Sequence, residues 1–149
     1  MSMHRIEIDT LNTLTATVID SVRGYDQAAE VAERPEIAGE FTRFADQRRR
    51  AAAALQTKVR ALGGEAETEG STMEAAHRFF LNLRAMFQTD TRAAILEVER
   101  GEDYLKEQVA DALADQRLEA DTHDLIRDCY QEIRIEHESW SRVCHVMAA

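Results

Sequence analysis

Three charged residues stand where the helical periodicity of this chain calls for apolar ones. At ~100° of rotation per residue, Arg48 points the same way as Ile37, Phe41 and Leu55. By the same rule Glu102 points with Ile95, Val109 and Leu113, and Glu136 with Leu125, Cys129, Val143 and Met147. Each is bracketed by apolar neighbours on both sides, and charged side chains are almost never fully buried unless paired. All three fall near the middle of their helices. The pattern predicts one central polar layer, with Tyr25, Asp26, Glu99, Glu132 and His137 on its flanks.

Two chemistries are open to such a layer. In the first, the Arg48 guanidinium clamps Glu102 and Glu136, with Tyr25 and Asp26 completing a core polar network; the planar Arg fork matches carboxylates bidentately. In the second, Glu99, Glu102, Glu132, Glu136 and His137 ligate a metal, and iron, manganese or zinc suits carboxylate and imidazole donors. A carboxylate-bridged di-iron site in a helix bundle takes a Glu from each of two helices and a Glu-x-x-His from each of the other two. Here neither Glu-x-x-His is complete. The second helix offers Ala45-x-x-Arg48 or Asp46-x-x-Arg49, and the last offers Arg134-x-x-His137. An Arg at a ligand position repels a divalent cation and cannot give up its proton. The residue types favour the ion-pair network without a cofactor and keep the metal site as the alternative.

Other chemistry-bearing residues are less pointed. His77 lies at the edge of an apolar face, while His4, His123 and His145 have no ligand-spaced partners and are expected to be exposed. No Ser, Thr or Cys sits in a nucleophile motif such as G-x-S-x-G, and no glycine loop of the phosphate-binding kind is present. Met73, Met86, Phe79, Phe80 and Phe87 are read as packing residues.

The elements that must position these residues are long helices. With 149 residues, of which only six are Gly and one is Pro, the chain lacks the punctuation that all-β folds require. Leu11, Leu14, Val18, Val22, Tyr25, Ala29 and Ala32 form one stripe that Pro35 ends, since the residue before a proline avoids helical geometry. Gly63-Gly64 stops the second stripe, Ser71-x-x-Glu74 reads as a capping box, and Thr89 or Asp90 can cap the helix after it. The predicted helices cover residues 10–33, 35–62, 72–88, 90–116 and 121–147, with a cap at Asp121 or Thr122 for the last. The boundary between the last two carries neither Gly nor Pro. Four long helices, each with one apolar stripe, make an all-α four-helix bundle in a single domain spanning residues 1–149. The helix over 72–88 lies in a long crossover between the pairs, which is the ferritin-like connection.

The charge balance narrows the partners. Lys and Arg total 18 against 28 Asp and Glu, a net charge of −10, so nucleic acid and anionic membranes are repelled. No segment reaches the ~18 consecutive apolar residues that span a bilayer, and Met1 to Asp9 holds no apolar signal core. Cys129 and Cys144 lie ~22 Å apart along one helix at ~1.5 Å per residue, too far for a disulfide. These features predict a cytoplasmic protein.

Several segments also resemble a bacterial ferritin-like family of unknown function. They are Leu11-Asn12-Thr13-Leu14, Gly24-Tyr25, Ala28-Ala29-Glu30, Arg48, Leu55-Gln56, Leu62-Gly63-Gly64-Glu65 through Gly70-Ser71, His77-Arg78, and Glu99-Arg100-Gly101-Glu102-Asp103. The resemblance covers residues 9–115 and is loose over the last helix, where only a late acid and His137 match. It implies the ferritin-like fold and no established activity. Without full Glu-x-x-His motifs the chain departs from di-iron relatives. The expected function is non-enzymatic, through self-association as a homo-oligomer or through a protein partner.

Overall fold

Scarce Gly and Pro leave the helices unbroken. The computed structural model describes the backbone of residues 2–148 and the side chains of residues 4–138 and 142. It contains α1 (Ser2–Val31), α2 (Pro35–Ala61), α3 (Met73–Thr89), α4 (Thr91–Ala114) and α5 (Ala120–Ala148), with no strand among the described residues. None of these helices is long and apolar enough to cross a membrane. Trp140, Val143, Cys144, His145 and Met147, which end the predicted last stripe or flank it, lie outside the described side chains.

Most boundaries follow from local chemistry. Arg34 is extended, as a residue before proline must be, and Pro35 takes the first turn of α2. At the other end Gly63 adopts φ +87°, its N–H bonds Arg60 O, and the Gly64 N–H bonds Val59 O. That is the Schellman pattern, which needs a residue tolerant of positive φ. Asp90 caps α4 by accepting from the Ala93 N–H at 3.1 Å. The predicted Ser71 capping box does not form. Thr72 is the N-cap, accepting from the Ala75 N–H at 3.2 Å, while Ser71 is drawn off by Asp20, which takes both its N–H and its hydroxyl. The largest departure is at the start: α1 begins at Ser2 rather than near residue 10, so Asp9 and Thr10 lie inside the helix.

The segment between α2 and α3 runs along α1. Asn12 donates to Glu65 O at 3.0 Å and accepts from the Glu67 N–H at 2.9 Å. Farther along α1, Asp20 holds Ser71. A Cβ on Gly64 would meet Ile8 at 2.8 Å, and one on Gly70 would meet Asp20 at 2.7 Å, so both glycines are imposed by this close approach. The linker therefore climbs one half of α1 and α3 only the other. For this reason just Leu83 and Phe87 of α3 are buried, while Met73, expected on its apolar face, is exposed.

Helix α1 packs on α2 and α4, α5 packs on the same two, and α3 rests on α1 and α4. The core inside has two parts. One is rich in aromatics, with Tyr25, Phe41, Phe44 and Phe87 joined by Ile95 and Val98. The other is aliphatic, built on Leu11, Leu14, Val18, Leu55, Leu105, Val109 and Ile126. Arg48 and Glu102 fall between these parts in sequence on both α2 and α4.

Candidate functional site

Among the described residues Arg48 is the largest fully buried side chain, at 0% exposure, and Glu102 is 7% exposed. The guanidinium of Arg48, on α2, donates to Glu102 Oε2, on α4, at 2.6 Å. From α1, the Tyr25 hydroxyl donates to Glu102 Oε1 at 2.5 Å, and Ser21 Oγ lies 3.5 Å from the same oxygen. Arg48 also donates to Gln47 Oε1, and Gln47 reaches α5 by donating to Glu132 O at 2.9 Å. The guanidinium lies 5.5 Å from the Tyr25 ring centre and 5.9 Å from that of Phe44, within cation–π range. Its Nε is buried without an acceptor. One layer thus ties all four long helices together through a single ion pair.

Burial and the neighbouring Glu102 carboxylate push the Tyr25 hydroxyl well above its ordinary value of 10.0. Tyr25 therefore stays a proton donor, and Glu102 receives three donated hydrogen bonds, one of them from a cation.

Two residues predicted for the layer lie elsewhere. Glu136 is half-buried and pairs with Arg43, not Arg48. The buried stripe of α5 runs through Thr122, Ile126 and Ile133, one position round from the predicted Leu125, and this turns Glu136 toward the surface. Asp26 is exposed and pairs with Arg49. Asp26 follows Tyr25 in sequence, and the ~100° step carries it outward.

The predicted metal ligands do not converge. Glu102 is committed to Arg48 and Tyr25, Glu99 is half-buried, and Glu132 is exposed. His137 has a buried Nδ1 without a partner. Among the described residues no group of three or more His, Cys, Asp or Glu side chains could hold a metal ion. Of the other histidines, His4 and His77 are exposed and His123 is half-buried rather than exposed. Burial pushes the Cys129 thiol up to about 11, helped by Glu132 and Asp128, so it is no nucleophile at neutral pH.

A second buried carboxylate escaped the periodicity. Glu7 on α1 is fully buried, accepts from the Glu119 N–H at 2.7 Å and receives the Thr122 hydroxyl. It sits at the start of α5, where unpaired N–H groups and the helix dipole favour an anion. The signal was present: Glu7 stands four residues before Leu11, on the same face of α1.

Comparison with curated proteins and with solved structures brings no match. One family model does match, over residues 7–115, from Glu7 through α4. The chain therefore belongs to the family described as Domain of unknown function (DUF2383).

Proposed function

We propose that this chain is a ferritin-like four-helix bundle in which an internal ion pair takes the place of a metal centre, and that it works without catalysis, through self-association or a protein partner. The observation that carries the reading is the engagement of both Glu102 oxygens by the protein itself, one by the Arg48 cation and one by Tyr25. A carboxylate so occupied has its counter-charge in place and is a poor ligand for a second cation. The bundle is supported by the closed ring of contacts α1–α2–α5–α4, with α3 outside it on α1 and α4 as the crossover. Self-association is supported by large apolar residues on the surface, among them Leu81, Leu96, Tyr104 and Ile135. The acidic balance and the absence of an apolar span favour a cytoplasmic setting and disfavour nucleic acid.

Metal analysis of protein purified without added metal tests the reading. We expect far less than one iron, manganese or zinc per chain and no iron-dependent oxygen consumption. Stoichiometric metal that disappears in Glu102→Gln would establish the di-iron alternative instead. Light scattering of the eluted protein separates self-association from dependence on a partner.

A further inference from the structure

A groove of about 440 Å³ opens between α1, α3 and α4, directly above the Glu102–Tyr25 pair. That volume lies within the range of small-molecule sites, ~300–1,000 Å³. Its apolar wall is the Phe79 ring, which passes close to Gly24: a Cβ there would stand 3.5 Å from the ring edge. Facing it on α4 is Gly101. A glycine inside a helix is disfavoured against alanine, and usually a close neighbour requires it. At Gly101 a Cβ would meet nothing within 4 Å, so packing within the chain does not require it. The absent side chain leaves the groove open.

The polar lining of the groove leaves an acceptor unused. Glu102 is held by Arg48 through Oε2, and its Oε1 already accepts from Tyr25 and, at 3.5 Å, from Ser21, so both its oxygens are in use. Gln27 lines the same groove and spends its amide N–H on Ala76 O at 3.1 Å, while its Oε1 is buried and accepts nothing. The two arginines at the rim are engaged, Arg23 with Ser71 O at 2.8 Å and Arg100 with Glu97 at 3.2 Å. An aromatic wall together with a spare buried amide oxygen matches a ligand with a flat apolar body and an N–H donor. The net charge of −10 raises the local concentration of a cationic ligand and lowers that of an anionic one.

We infer that the α1/α3/α4 groove is a binding site for a small arylalkylamine, whose ring packs on Phe79 and whose amino group donates to Gln27 Oε1. This site is independent of the metal-free reading and survives its failure.

Ligand-detected NMR and calorimetry with tryptamine test the site, with 3-indolepropionate as the matched acid. Gly101→Leu is the variant of choice, because its side chain reaches into the groove, it replaces a poor helix former with a good one and its Cβ meets no neighbour within 4 Å. The expected result is saturable tryptamine binding at about millimolar concentration or tighter. Gly101→Leu and Gln27→Leu should each weaken it about ten-fold or more, and the acid should bind at least about ten-fold more weakly. A folded Gly101→Leu that binds tryptamine as well as the parent would overturn the inference. So would equal binding of acid and amine, or no binding of tryptamine at all. Loss of self-association in Gly101→Leu without amine binding would give the groove to a second copy of the chain and equally overturn it.

Discussion

The molecule buries two carboxylates and treats them differently. Glu102 lies between the aromatic and aliphatic parts of the core and is met by a full positive charge, Arg48, with Tyr25 as a second donor. Glu7 lies at one end of the molecule and, among the described residues, forms no ion pair; it is met by the backbone N–H of Glu119 and the hydroxyl of Thr122. Far from a helix end, a buried charge needs another charge, whereas at a helix start the partial charges of free N–H groups suffice. The two arrangements also differ in reach. The Glu102 layer gathers α1, α2, α4 and α5, while Glu7 locks α1 to the start of α5.

The difference predicts unequal damage on removal of each partner. Arg48→Leu should cost the most, about 3–5 kcal/mol, because it strands a buried carboxylate. In urea unfolding the midpoint should fall sharply. Adding Glu102→Leu to the same chain should recover most of the loss, since an apolar pair of similar volume often replaces a buried ion pair at little cost. An unchanged midpoint in Arg48→Leu would mean that Glu102 is solvated and that the two carboxylates are alike.

Glu7→Ala should come next, at about 2–3 kcal/mol, through the unpaired Glu119 N–H and Thr122 hydroxyl. No buried opposite charge is stranded here, which sets its cost below that of Arg48→Leu. Hydrogen exchange distinguishes the two variants further. Loss of Glu7 should release amides in the first turn of α5 before the rest of the molecule, whereas loss of Arg48 should loosen all four long helices together.

Tyr25→Phe removes one hydrogen bond to a charged group and should cost about 1.5–2 kcal/mol at neutral pH. The pH dependence makes this specific. Tyr25 has its proton affinity raised in the folded state, above the ordinary 10.0, so the unfolded chain loses that proton first as pH rises. The stabilisation is complete below pH 10 and is lost progressively above it. The stability gap between parent and Tyr25→Phe, followed by urea unfolding, should therefore hold steady to pH 9 and shrink beyond 10. A gap that grows with pH would show that the hydroxyl does not donate to Glu102.

How much of this was legible in the sequence depended on how each residue is held. Arg48 and Glu102 stood out because each interrupts a strong apolar stripe near the middle of a helix, where a buried charge breaks the period visibly. The starts of α2 and α4 were legible for a similar reason, since Pro35 and Asp90 act on their own backbone. Glu7 was hidden because its partners are more than a hundred residues away, at the start of α5. With no proline or glycine to mark its beginning, the first helix also seemed to start after Glu7. Gly64 and Gly70 announced a turn, but nothing local said that they press on Ile8 and Asp20. The groove was out of reach for the same reason, as it is formed by helices that meet only in the fold. The family model covers Glu7, Tyr25, Arg48 and Glu102 and stops before α5, so both buried carboxylates lie within the family's shared portion while Glu136 and His137 do not.

Glu136 therefore gives the smallest expected effect and the sharpest contrast. As a third member of the core network it would cost several kcal/mol to neutralise. The structure instead sets it against Arg43, whose side chain is 50% exposed, with Glu136 itself at 33%. Pairs of this exposure contribute about 0.2–1 kcal/mol and are screened by salt. Arg43 also keeps Glu40 at 2.6 Å, so losing the charge on Glu136 leaves no cation stranded. Glu136→Gln should shift the urea midpoint by about 0.5 kcal/mol or less, and the shift should vanish in high salt. A loss above about 2 kcal/mol that persists in salt would mean that Glu136 reaches Arg48 after all. The core would then hold its central cation between two carboxylates, and the contrast between Glu102 and Glu7 would become one of charge count rather than of position.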